Sequence, residues 1–282
     1  MIKIKIGFIM LMNYSFNENF DYNDESASFD FVSSPTVSDY GKVNDGEVRI
    51  ISEKIRIPNL KQHLIRPRLS EILGKFCEQF GTTLITGRAG TGKTTLAMNF
   101  ADGYQQAAWF RVEASDFNWQ TFSRYFLASF NEPLLEFIND IPKRESLEAN
   151  VLQFLEILFS EIETISKNKS ILIVLDDLHC VFDAEWFETF LKGLCSYDAP
   201  NVHILLLSRT TPPFPLWRLR SKQKLGVLDE NLLLFTIEET KEFLKNYGVA
   251  EHKANLFHKA SYGRISKILE LSELILIHDT AD

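Results

Sequence analysis

The chain has 282 residues, 45% of them hydrophobic and 24% charged, with a formal net charge of −8. This is an ordinary globular balance, with apolar residues enough for one large or two small domains. The acidic excess supplies no overall field to draw in nucleic acid, and three cysteines without metal-ligand spacing (Cys77, Cys180 and Cys195) point to reduced thiols in a cytoplasmic protein.

The first twelve residues, MIKIKIGFIMLM, hold an apolar run too short to span a bilayer and followed by no small-residue cleavage site, so no membrane partner is expected. Residues 13–53 carry nine acidic residues against Lys42 and Arg49, with Ser, Asn and aperiodic aromatics between them. Such a stretch buries too little apolar surface to offset its ordering entropy. The expectation over 1–53 is a disordered acidic arm. It reads as a solvated tail, or as a segment whose Phe16, Phe20, Tyr22, Phe29 and Phe31 dock on a partner.

From residue 54 the pattern tightens. TTLIT (82–86) is a short buried strand bounded by Gly81 and Gly87, and a helix follows from Thr94 to about Ala101. AAWFRVEA (107–114) reads as a second strand, with a helix near 118–130. Leu147, Val151, Phe154, Leu155, Leu158, Phe159, Ile162 and Ile165 recur at helical spacing and predict a long amphipathic helix over 146–166. ILIVL (171–175) is apolar on both faces, as a central parallel strand requires. A helix over 183–196 and a buried strand, HILLLS (203–208), complete the alternation. The pattern predicts an α/β fold, a parallel sheet in three layers, over 54–215. After TTPPFP (210–215) the remainder, 216–282, reads as a small all-helical subdomain. Thr236 and Glu239 fit a capping box, Gly248 fits a helix end, and helices fit 250–261 and 264–278.

Between the first strand and its helix stands Gly87-Arg88-Ala89-Gly90-Thr91-Gly92-Lys93-Thr94-Thr95. Glycines here let backbone N–H groups converge on a compact anion at a helix N-terminus. Lys93 supplies a point charge for the β- and γ-phosphates, and the Thr94 hydroxyl a ligand for Mg²⁺. A plain glycine-rich turn with an exposed lysine leaves the order Gly-Lys-Thr-Thr unexplained. At the end of ILIVLDD (171–177), Asp176 is placed to hold the metal, largely through water, and Asp177 to orient an attacking water. The strand at 107–113 separates this metal strand from the P-loop strand in sequence, the arrangement of the P-loop class with an extra inserted strand. Arg209 ends the strand HILLLSR, where open α/β sheets face their ligand, and suits γ-phosphate sensing.

The order RPRL (66–69), ITGRAGTGKTTLA (85–97), AWFRVEASDFNWQTFSRYFLASF (108–130), LIVLDDLHCV (172–181), ILLLSRTTPPFPLWRLR (204–220) and LLLFTIEETKEFL (232–244) resembles the nucleotide-binding module of the MalT-like signal-transduction ATPases. These are large ATP-binding regulators of the LuxR group in the STAND class of P-loop NTPases. The resemblance covers about residues 54–275. It implies ATP or ADP with Mg²⁺, a slowly hydrolysing switch, and self-association or a protein partner when ATP binds. It also implies places near the nucleotide entrance for Arg66 and Arg68, and a sensor role for Arg209. Arg218 and Arg220 flank the step to the helical part and read equally as surface charge. The family's Gly-Trp or Gly-x-Pro signature is replaced here by Gly263-Arg264. No recognition helix with a basic face is evident, so this chain by itself is not expected to bind DNA specifically. The competing expectations are an adaptor that binds nucleotide without hydrolysing it, and an AAA-type ATPase subunit acting on nucleic-acid complexes.

Overall fold

The computed structural model describes residues 50–59, 64–130, 146–167 and 169–278, with side chains as far as Ser272. The acidic arm expected over 1–53 lies outside the described residues up to position 49.

Five strands form one parallel sheet: β1 (Thr82–Thr86), β2 (Gln106–Arg111), β3 (Ile171–Asp176), β4 (Val202–Ser208) and β5 (Gly226–Leu228). Their spatial order is β2-β3-β4-β1-β5. β4 lies between the other two central strands, pairing Thr82 with Ile204 through Thr86 with Ser208 on one side, and Ile171 with Val202 through Leu175 with Leu206 on the other. The strand near 107–113 separates β1 from β3 in sequence, as expected; in space it forms one edge of the sheet, and the strand inserted between β1 and β3 is β4. The burial explains the placement. β3 is buried throughout and Ile204–Ser208 of β4 are buried without a break, whereas β2 is exposed at Arg111 and only half-buried at Gln106 and Ala107.

Residues alternate between two cores across the sheet. Leu84, Phe110, Ile173 and Leu206 face the helices Trp119–Ala128 (α3), Leu147–Ser166 (α4) and Phe187–Ser196 (α5). Ile85, Trp109, Val174 and Leu207 face Pro67–Gln79 (α1) and Lys93–Ala101 (α2). The expected three layers are therefore present. Side-chain caps start the helices where the chain supplies them: Asn118 accepts the Gln120 amide at 2.8 Å, and Ser146 the Ala149 amide at 3.1 Å.

Two boundaries differ from the sequence reading. Residues 50–53, assigned to the arm, are built into the domain. Ile50 and Ile55 pack on the core, and Ser52–Lys54 form a 3₁₀ turn. Lys54 is buried, with its ammonium 2.6 Å from both oxygens of buried Asp116 and 4.2 Å from the Tyr125 ring centre. Beyond residue 215, a short helix, α6 (Trp217–Ser221), leads into β5, which pairs Leu84 with Val227. The purely helical part thus begins after the sheet's last strand. It comprises α7 (Glu230–Leu233), α8 (Ile237–Asn246), α9 (Glu251–Ser261) and α10 (Ile265–His278). The Thr236–Glu239 capping box forms as expected, and Gly248 turns at a φ of 72° just past α8. Phe235, Phe243, Leu244, Ala254, Phe257 and Ile268 give these helices a core of their own.

Candidate nucleotide site

The loop from Gly87 to Gly92 leaves the C-terminal end of β1 and opens α2. Gly90 and Gly92 have φ of 73° and 89°, a region that side chains with a Cβ occupy at a cost. Gly92 is itself the N-cap of α2. Among the described residues, the amides of Gly90, Thr91, Gly92 and Lys93 donate to no protein acceptor, so they remain available as anion donors. Arg88, Ala89 and Gly90 are exposed, Thr91 is buried and bonds the Arg88 carbonyl at 2.9 Å, and Thr95 is half-buried in the first turn of α2.

The Lys93 ammonium folds onto this loop, donating to the carbonyls of Gly87 and of Arg88, the latter at 3.0 Å. Burial pulls its pKa down, against the pull of Asp176 and Asp177. The Thr94 hydroxyl donates to Asp176 Oδ2 at 2.9 Å, and the Asp177 amide donates to Asp176 Oδ1 at 2.9 Å. Asp176 is only 3% exposed, and burial, followed by the neighbouring Asp177 charge, raises its pKa to about 6. Asp177 sits in the left-handed region at φ 53°. Its Oδ1 lies 3.8 Å from Arg209 Nε, at the end of β4, and 3.8 Å from His179 Nδ1. Lys93, Thr94, Asp176, Asp177 and Arg209 are thus assembled at the C-terminal ends of β1, β3 and β4.

Arg66 and Arg68 are engaged a short step away. Arg66 donates to the carbonyls of Leu233 and Leu234 at 2.8 and 2.9 Å and to Glu239 at 2.7 Å, and its guanidinium lies 4.2 Å from the Phe235 ring centre. Arg68 donates to the Leu234 carbonyl at 2.9 Å and to Glu239 at 3.1 Å. Burial works against the Glu239 carboxylate, and hydrogen bonds from both arginines overcome it, holding its pKa at about 2. These two arginines therefore bind the helical part to the start of α1. Arg218 and Arg220 lie exposed on α6.

Sequence reasoning missed Glu230. Its carboxylate accepts the Arg88 amide and side chain, each at 3.2 Å, and lies 3.8 Å from Arg264. Ser266, in the first turn of α10, stands so close to Gly90 that a Cβ on that glycine would lie 3.0 Å from the serine Cβ. The first turns of α7 and α10 consequently rest on the phosphate loop. In sequence Glu230 reads only as first-turn acidic charge, and its partners are far away along the chain.

These donors suit a nucleotide with Mg²⁺. The open amides and Lys93 fit phosphate oxygens, and Thr94 with Asp176 supplies hard oxygen ligands. Among the described residues no cluster of three or more His, Cys, Asp or Glu could hold a metal.

Residues 78–207 match the family model described as an AAA domain. The MalT transcriptional regulator of Serratia proteamaculans is 29% identical over 198 residues, which cover 69% of this chain and 21% of that one. The MalT of Vibrio cholerae is 28% identical over 197 residues, with the same coverage of each chain. The chain carries a MalT-like P-loop NTPase module. It spans about one fifth of the length of the relatives it matches. Among solved structures, the Walker-type ATPase of Pyrococcus abyssi aligns over 77% of this chain and 74% of its own with a TM-score of 0.42 and 14% identity. Among the described residues of the module, no helix is long and apolar enough to cross a membrane.

Proposed function

We propose that this module is an ATP-binding, slowly hydrolysing switch of signal transduction, related to transcriptional regulators but reading no DNA sequence itself. The observation that supports the reading is the 2.9 Å hydrogen bond from Thr94 to Asp176 beside the phosphate loop, which brings together two oxygens that would both hold Mg²⁺. Lys93, now resting on the loop's own carbonyls, exchanges them for the β- and γ-phosphates. Thr94 and Asp176 would hold Mg²⁺, which would supply positive charge to offset that of the phosphates. Asp177 orients a water and accepts its proton as the water oxygen bonds the γ-phosphorus and the bridging P–O bond breaks, leaving ADP and phosphate. Arg209 neutralises charge on the transferred group. The helical part bears on the loop through Glu230, which Arg264 flanks, and through Ser266, so a change in occupancy of the loop would be passed to the helical part.

The test has three readouts. Titration calorimetry should show MgATP and MgADP binding to the wild type. Phosphate release should be slow and should fall in Asp177→Asn with binding retained. Size-exclusion chromatography should show a larger species with ATP than with ADP. Binding with no turnover would select the non-hydrolysing adaptor instead, and absence of nucleotide binding would overturn both.

A further inference from the structure

Asp177 is held in an unusual way. A non-glycine residue at φ 53° and ψ 34° persists only where its surroundings impose it. Here the 3₁₀ turn Leu178–Val181 begins at Asp177 itself, closed by the Cys180 amide on the Asp177 carbonyl at 3.0 Å. Leu178 and Val181 are both fully buried and pin the turn to the core. Between these anchors His179 is turned back toward the carboxylate. Its Nδ1 is shielded from solvent, has no hydrogen-bond partner among the described residues, and lies 3.8 Å from Asp177 Oδ1.

A buried polar nitrogen without a partner costs stability unless another state supplies one. The nearby acceptor is Asp177, and the gap to an ordinary hydrogen bond is about 1 Å. Catalytic hydrogen bonds commonly tighten only when substrate is in place. Arg209 competes for the same oxygen from the end of the neighbouring strand β4, also at 3.8 Å. Burial keeps the imidazole pKa below its ordinary value, so the ring is a neutral group that donates from one nitrogen only. A Nδ1–H donor would hold the Asp177 carboxylate after Arg209 turns to the γ-phosphate.

We propose that His179 is a positioning residue for hydrolysis, donating from Nδ1 to Asp177 Oδ1 so that the carboxylate stays aimed at the attacking water. The inference rests on the hydrolytic reading of Asp177 given above.

The test compares wild type, His179→Phe, His179→Asn, Asp177→Asn and the double variant His179→Phe/Asp177→Asn, each by single-turnover phosphate release from MgATP and by calorimetric affinity for MgADP. Phe keeps a ring but loses the donor, and should slow release about tenfold to a hundredfold, the scale of a misplaced catalytic group. Asn places an amide N–H near the Nδ1 position and should recover most of the rate. MgADP affinity should stay within about twofold throughout, because a positioning residue acts on the chemical step. The double variant should be no slower than Asp177→Asn alone. A Phe variant with the wild-type rate, an Asn variant no better than Phe, or additive losses in the double variant would each overturn the proposal. Should the Phe variant not fold, Gln, whose amide reaches toward the Nε2 position, serves as the donor-misplaced control and must behave as Phe is expected to. If Asp177→Asn slows release and His179→Phe does not, this inference alone fails. If the wild type binds nucleotide without releasing phosphate, or Asp177→Asn is as fast as wild type, the hydrolytic reading fails and takes the inference with it.

Discussion

Replacing Asp176 by Asn should stabilise the nucleotide-free protein while removing its response to magnesium. The folded structure raises the Asp176 pKa from 3.8 to about 6, chiefly by burial and then by the charge of Asp177. Holding this group ionised at neutral pH therefore costs about two pKa steps, on the order of 3 kcal/mol. Asn keeps the shape, and its oxygen still accepts the Asp177 amide, as Oδ1 does at 2.9 Å. The Thr94 hydroxyl, which now donates at 2.9 Å, can turn to accept from the new amide. The sign follows from the direction of the shift. Between about pH 4 and pH 6 the folded state holds a proton that the unfolded state releases, so wild-type stability from this group falls as pH rises through that window. The Asn variant has no such titration. Its advantage should be near zero below pH 4, open between pH 4 and 6, and stay constant above. For a domain of this size the gain corresponds to roughly 5–10 °C in Tm. Thermal unfolding at pH 4 and pH 7.5 in EDTA measures it. A second series with MgATP should raise the wild-type Tm, by an amount equivalent to about 2.7 kcal/mol at a hundredfold excess over Kd, and leave the variant nearly unmoved. An Asn variant less stable than wild type at pH 7.5, or a gap of the same size at both pH values, would refute the placement of Asp176 as a buried, charged metal ligand.

Lys93→Ala removes a cation whose hydrogen bonds among the described residues go to loop carbonyls, so circular dichroism should be unchanged while calorimetry finds MgATP affinity down by about a hundredfold or more, the loss of a charge-assisted phosphate contact; unchanged affinity would dispose of the cradle. Lys54→Met leaves the fully buried Asp116 without its ammonium partner and should cost about 3–5 kcal/mol in urea unfolding. Gly263→Ala puts a Cβ 2.5 Å from the Phe235 carbonyl oxygen at a φ of 72°, and should lower Tm by an amount corresponding to at least about 1–3 kcal/mol. Glu239→Gln removes the charge that joins Arg66 and Arg68, and should speed amide exchange across Ile237–Asn246 above pH 5. Because the Glu239 pKa is depressed to about 2, wild type should approach the variant only as pH falls well below the ordinary carboxylate range.

What the sequence made legible follows from the range over which each signal acts. β3 and β4 contain continuous apolar runs, β1 is a short β-prone stretch bounded by glycines, and the Gly-Lys-Thr order is local to one turn, so all were visible without any knowledge of neighbours. Thr236 and Glu239 cap their helix within three residues and were equally visible. β5 was not. Its three residues are too few for any periodicity to show, and they become a strand only because β1 offers an unpaired edge. Lys54 carried the wrong composition for a core residue, and only Asp116, 62 positions on, makes its burial tolerable. The ion pairs at the site have the same character. Arg88 meets Glu230 across 142 positions, and Arg66 meets Glu239 across 173. In sequence Glu230 looks like ordinary first-turn charge and Glu239 like a helix cap, which each also is. The unreadable contacts are therefore the ones that join the helical part to the phosphate loop and to α1. Local motifs mark the phosphate loop, whereas the contacts that seat the helical part on it and on α1 run through Glu230 and Glu239, and these pairings appear only once the chain is folded.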